Sequence, residues 1–190
     1  MSKIALLIFP TFSEFEVSVA ISLLRSSHDL VTLSLDNEVV TSEAGLRVAP
    51  HLEVARAAAE DYDALLIPGG DMVHLKDAEP VFTFVKRMAE QHRVLAAICS
   101  GPYVLARAGV ISNQPYTVSL TREQRNFLGC FEEGSYRYEP IVETDTILTA
   151  QGHAFVEFGL CVAQTLRPDL SAEARRFYSG LGNALMETQP

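Results

Sequence analysis

Among the residues able to do chemistry, Cys99 has the most telling surroundings of the three cysteines in this 190-residue chain. It follows the apolar run Val94-Leu95-Ala96-Ala97-Ile98 and precedes Ser100-Gly101-Pro102, after which helical spacing begins. A buried strand, one nucleophilic side chain, a turn of small residues and a helix make up a nucleophile elbow. Such an elbow exposes the side chain at the top of a sheet through a tight, strained turn. Gly101 leaves room where the helix crosses close to the strand. The free N–H groups and partial positive charge of the helix start favour a thiolate, so the sequence predicts a Cys99 pKa below the usual ~8.5. The ordinary alternative for a free cysteine is a structural place in the core.

Two further turns end apolar runs. Pro68-Gly69-Gly70-Asp71 closes residues 63–67. Its amides, aimed at the same point as the elbow, would form an oxyanion hole, whereas in isolation it is a plain Pro-Gly turn. Pro10 to Glu16 follows the first run. Ser13 with Glu16 three residues later, ahead of an apolar helix, has the form of a capping box. Equally, a protonated Glu16 carboxyl pointing at Cys99 would donate a hydrogen bond to the thiolate and stabilise it. Glu14 is second choice for that role. His153, after the Gln151-Gly152 turn, is a candidate accessory base, against the common case of a solvated histidine at a helix start. His28, His51, His74 and His92 are scattered without metal-ligand spacing, so neither a metal nor a cofactor is expected. Cys161 falls on an apolar helix face, and Cys130 has no assignable role. No glycine loop of the phosphate-cradling kind is present.

The elements that must position these residues alternate in type. Apolar runs at residues 4–9, 30–35, 63–67, 94–98 and 146–150 read as strands covered on both faces. Helical spacing marks residues 17–24, 80–91, 103–108, 155–166 and 171–185. Residues 39–41 and 46–48, flanking Gly45, read as an antiparallel excursion. This alternation implies an α/β fold, a mostly parallel sheet with helices on both faces. No linker or repeat divides it, so one domain over residues 1–190 is expected.

Hydrophobic residues make up 48% of the chain and charged residues 21%, enough for a sizeable core without disulfides. The net charge of -9, without a basic cluster, argues against binding to a phosphate backbone. Neither a signal peptide nor an apolar run of membrane-spanning length is visible, so the expected setting is cytoplasmic, with no nucleic acid and no membrane as partner.

The motifs Leu65-Leu66-Ile67-Pro68-Gly69-Gly70, Ala96-Ala97-Ile98-Cys99-Ser100-Gly101-Pro102 and Leu148-Thr149-Ala150-Gln151-Gly152 together resemble the ThiJ/PfpI superfamily, within the class I glutamine amidotransferase-like fold. The resemblance runs from Lys3 to about Leu166. It implies a flavodoxin-like three-layer α/β/α sandwich and a homodimer. It also implies that Cys99 is the nucleophilic or oxidation-prone cysteine, Glu16 its acidic partner, and Gly69, Gly70 and Ser100 the backbone oxyanion site. Two departures bear on function. Ser100 stands where the peptidase-like branch has a histidine, and Ser119 where the glyoxalase or deglycase branch has one. The chemistry so implied is attack by Cys99 on a small electrophilic substrate, as in a hydrolase, hydratase or glyoxalase-like lyase. The alternative is a non-enzymatic oxidative-stress protein in which Cys99 is reversibly oxidised.

Overall fold

The computed structural model describes residues 2–181. In chain order its elements are β1 (Ser2–Leu7), α1 (Phe15–Leu24), β2 (His28–Ser34), β3 (Val40–Thr41), β4 (Arg47–Val48), β5 (Leu52–Glu53), β6 (Ala64–Ile67), α2 (Glu79–Glu90), β7 (Val94–Ile98), α3 (Pro102–Arg107), α4 (Arg122–Leu128), β8 (Ile141–Glu143), β9 (Ile147–Ala150), α5 (Phe155–Leu166) and α6 (Ala172–Ser179). Seven strands form one sheet in the order β5-β2-β1-β6-β7-β9-β8. Every pairing in it is parallel except that of β8 with β9. The central strands lack alternation because helices cover both faces, and every residue of β6 and β9 is buried. α1 packs on α5 and α2 on α3. The α/β class and mostly parallel sheet expected from the sequence are therefore present, and β3 pairs antiparallel with β4 as a separate ribbon.

Register decides where chemistry can happen. Ile67 pairs with Ala97 and Ile98 with Ala150, so β6, β7 and β9 end side by side. Whatever follows those strands emerges at one point on the carboxyl edge, the usual place for sites in open α/β sheets.

Boundaries differ from the sequence reading in several places. β1 stops at Leu7, and Ile8 and Phe9 continue buried but outside the strand. β5 and β8 are edge strands too short to give a periodic signal. α6 ends at Ser179, before Gly180 with its left-handed φ of 71°. The end of the expected helix, to residue 185, lies outside the described residues. α4 is absent from the sequence reading because it buries little apolar surface and leaves Phe127 90% exposed. Its signal is local instead, a capping box between Thr121 and Gln124. Tertiary anchoring comes from Arg125, only 4% exposed. Its guanidinium holds Glu133 with two bonds of 2.7 and 2.9 Å, donates to the Leu120 carbonyl at 2.6 Å, and lies 3.7 Å from the centre of the Tyr136 ring. Among the described residues no helix is long and apolar enough to cross a membrane.

Arg125→Ala removes the guanidinium that ties Glu133 and the Leu120 carbonyl to α4, and Glu133, 32% exposed, is left to water, so the expected loss is about 1–3 kcal/mol. Chemical denaturation checks this, and an unchanged midpoint would show that α4 is held by something else.

Candidate active site

Three segments meet beyond the ends of β6, β7 and β9: Pro68-Gly69-Gly70, Cys99-Ser100-Gly101 and Gln151-Gly152. Cys99 occupies the elbow with a φ of 61°, a conformation that L-residues rarely adopt. Both its backbone groups are tied down. Its N–H donates to the Ala150 carbonyl at 2.9 Å, and its carbonyl accepts from the Ser119 N–H at 2.8 Å. The elbow also needs a glycine two residues on, since a methyl on Gly101 would lie 2.5 Å from the Ile67 carbonyl oxygen.

Two glycines wall the sulfur. A methyl on Gly69 would approach the Cys99 Cβ to 2.7 Å, and one on Gly152 would approach Sγ to 3.1 Å. Into this slot α1 delivers Glu16, 2% exposed. One carboxyl oxygen, Oε2, accepts the Gly69 N–H at 2.6 Å. The carboxyl also hydrogen-bonds the Cys99 thiol. The capping-box alternative for Glu16 does not form. The N-cap of α1 is Glu14, with no side-chain cap, and the Ser13 hydroxyl donates instead to Glu43 Oε2 at 2.5 Å. Among the described residues it is Glu16, not Glu14, that reaches the thiol.

The electrostatics correct the sequence expectation for Cys99. Its thiol is pushed up to about 12, first by burial and then by the charge and hydrogen bond of Glu16, with the Ser100 N–H and the Ser119 side chain pulling the other way. Glu16 is itself raised above the usual carboxyl range, chiefly by burial, with the Gly69 N–H opposing and Glu43 adding to the rise. The helix that was to depress the thiol is only six residues long and begins with Pro102, which has no N–H to offer. Burial and a neighbouring acid therefore outweigh the elbow's dipole. The two acids share one slot, so loss of a proton from either makes loss of the second harder.

The remaining expected residues divide. The Ser100 N–H faces the sulfur. Its hydroxyl turns away, donating to the Gly70 carbonyl at 2.9 Å and accepting the Gly70 N–H at 3.0 Å. Hence the Gly69 and Gly70 amides, expected as free oxyanion donors, are already engaged with Glu16 and Ser100. Ser119 does reach the thiol, but its proton goes to Gln151 Oε1 at 2.8 Å while its oxygen accepts the Gly152 N–H at 2.9 Å. His153 is exposed and makes no hydrogen bond to Cys99 or Glu16. No histidine bonds the thiol among the described residues. Cys130 and Cys161 are half-buried, and burial raises both thiols. Gln151 is the site residue that sequence reasoning passed over. It is 6% exposed and locks Ser119 in place, its Nε2 donating to Thr117 Oγ1 at 2.7 Å and to the Val118 carbonyl at 3.0 Å. The only sequence signal was its place in the Ala150-Gln151-Gly152 turn.

Comparison with known proteins places this geometry in context. A sequence model of the DJ-1/PfpI family matches residues 2–165. YoaZ of Bacillus subtilis, named an uncharacterized protease, is 26% identical over 175 residues, covering 86% of this chain and 83% of YoaZ. The glutathione-independent glyoxalase DJR-1.2 of Caenorhabditis elegans is 25% identical over 171 residues, covering 86% of this chain and 89% of that protein. The crystal structure of the DJ-1 superfamily protein Atu0886 from Agrobacterium tumefaciens superposes with a TM-score of 0.85 at 27% identity, covering 98% of this chain and all, 100%, of that one.

The raised Glu16 pKa makes a pH-dependent stability prediction. The folded chain holds this proton more tightly than the unfolded chain, so its contribution is complete below the ordinary value of 4.5 and is lost as pH rises through the folded pKa. Glu16→Gln removes that titration. Thermal denaturation of the two proteins should show the wild type losing ground to the variant as pH climbs from 4.5 toward neutrality. A difference that stays constant with pH would show that burial does not raise this carboxyl.

Proposed function

This chain belongs to the DJ-1/PfpI family, and from that footing we propose that it is a cysteine-dependent enzyme for a small electrophilic substrate, with Cys99 as nucleophile and Glu16 as its proton partner. One observation carries the reading: a buried carboxyl, fixed by the Gly69 N–H, hydrogen-bonds a thiol on a strained elbow where no histidine bonds. Burial opposes two negative charges in one slot, so the pair carries a single charge near neutrality. Cys99 is half-buried whereas Glu16 is 2% exposed, and Glu43 further discourages a carboxylate. Water and the Ser100 N–H therefore favour the charge on sulfur, with the proton kept by Glu16.

The chemistry follows from where that proton sits. As the thiolate adds to an electrophilic carbon, negative charge moves to the substrate heteroatom and Glu16 delivers its proton there. Glu16, now a carboxylate, recovers a proton in the step that releases product. The Ser100 N–H is the donor already facing the reacting sulfur. The Gly70 N–H joins it only if the Ser100 hydroxyl releases it. Glyoxalase-like, hydratase and hydrolase chemistries all use this start. A glyoxalase-like reaction agrees with the name of DJR-1.2. Peptide hydrolysis, suggested by the name of YoaZ, fits less well, because Ser100 replaces the histidine of the peptidase-like branch. A homodimer in a cytoplasmic setting is part of this proposal and rests on the family alone.

A second reading is favoured by the lack of a histidine at the thiol. In it the thiolate takes an oxygen atom from one hydrogen peroxide, releasing water and leaving a sulfenate; a second peroxide gives the sulfinate and a second water, and the oxidised sulfur is the signal.

A screen of small aldehydes, ketoaldehydes, esters and isocyanides separates the two. The enzyme reading expects turnover that disappears in Cys99→Ala and falls by about 10²-fold or more in Glu16→Gln. Turnover untouched in Cys99→Ala would refute it. No turnover, with peroxide modifying Cys99 ahead of Cys130 and Cys161, would establish the redox reading instead.

A further inference from the structure

We infer that the cleft between the Gly70–Leu75 turn and α4 binds an uncharged apolar substituent, of aromatic-ring size, carried by the substrate whose electrophilic carbon Cys99 attacks. The cleft measures 620 Å³, within the ~300–1,000 Å³ typical of small-molecule sites. Its place relative to the sulfur is set by three consecutive-residue relationships. Gly69 walls the sulfur and Gly70 lines the cleft. Cys99 carries the sulfur and Ser100 lines the cleft. Ser119 touches the thiol and Leu120 lines the cleft. The cleft thus begins one residue away from the sulfur's surroundings on three converging segments, with the hydrogen-bonded Ser100–Gly70 pair between them.

The lining says what it accepts. Met72, Val73, Tyr103, Leu120, Phe127 and Leu128 give apolar walls. Phe127 is 90% exposed and Val73 54% exposed, far more than such side chains need to be in a folded chain. Both line the cleft from separate elements, and a ring held there would cover exposed apolar surface. The charged groups at the rim are Asp71, Glu123 and Lys76, an acidic balance that disfavours a carboxylate or phosphate on the substituent. Arg125 fixes the position of the α4 wall, as described above.

This inference rests on Cys99 being the nucleophile, and the experiment separates the two. Phenacyl bromide and bromoacetone are neutral α-bromoketones differing in a phenyl against a methyl group. In each case the Cys99 sulfur forms a bond to carbon, the carbon–bromine bond breaks, bromide leaves, and the thiol proton remains on Glu16 or passes to water. Rates at Cys99 are read by peptide mass spectrometry, and the phenacyl-to-bromoacetone ratio is normalised to the ratio for glutathione. A normalised preference of about tenfold or more is expected, the low end of what filling a hydrophobic pocket provides, falling toward unity in Val73→Ser/Phe127→Ser. Bromoacetone reacting readily at Cys99 with a normalised ratio near one would overturn the cleft while sparing the nucleophile. Cys99 inert to both reagents would defeat the nucleophile reading. The cleft is then judged by saturation-transfer NMR with acetophenone, where binding lost in the double variant supports it and no binding to the wild type overturns it.

Discussion

A half-buried thiol and a buried carboxyl share one slot at the top of the sheet, and that slot disfavours two negative charges. Burial alone raises both Glu16 and Cys99, and each acid is raised further by negative charge nearby. On the proposed reading the pair behaves as one acid with one mobile proton. Much of the surrounding architecture serves to keep that pair in contact. The Gly69 N–H pins one carboxyl oxygen, the absence of side chains at Gly69 and Gly152 lets the groups meet, and the Ala150 and Ser119 backbones hold the elbow.

The sheet supplies precision that a loop site would lack. Parallel pairing of β6, β7 and β9 brings three turns to one edge with their register fixed by ladder hydrogen bonds. Glu16 comes from the opposite side of the sequence, at the start of α1. Its depth is set by the packing of α1 on α5 rather than by any cap, because no side chain caps that helix. A strained φ at Cys99 persists because the structure around it over-determines the backbone. Ser100 and Ser119 are tied into neutral networks with Gly70 and Gln151.

How much of this was legible in the sequence follows from which forces were local. The buried parallel strands, the elbow and its glycine were readable because each leaves a contiguous pattern of residue types. α4 was missed because its stability comes from Arg125 and a capping box rather than from an apolar stripe. The meeting of Glu16 with Cys99 was one of two alternatives, and local pattern favoured the cap equally well; tertiary packing decided it. The direction of the thiol shift was misread because the elbow's dipole is visible in sequence whereas burial is not. The engagement of the Gly69 and Gly70 amides depends on side chains far away in the chain, so no spacing rule reports it.

The central claim is that Glu16 keeps the proton and Cys99 takes the charge. The most direct measurement is the pH dependence of Cys99 alkylation in the wild type and in Glu16→Gln, read on the Cys99 peptide. The account predicts a midpoint that rises by about one unit in Glu16→Gln relative to the wild type, since a carboxamide is a weaker donor to the thiolate than a carboxylic acid. A midpoint that falls in Glu16→Gln would contradict it, showing that Glu16 is ionised at rest and that its charge suppresses the thiolate.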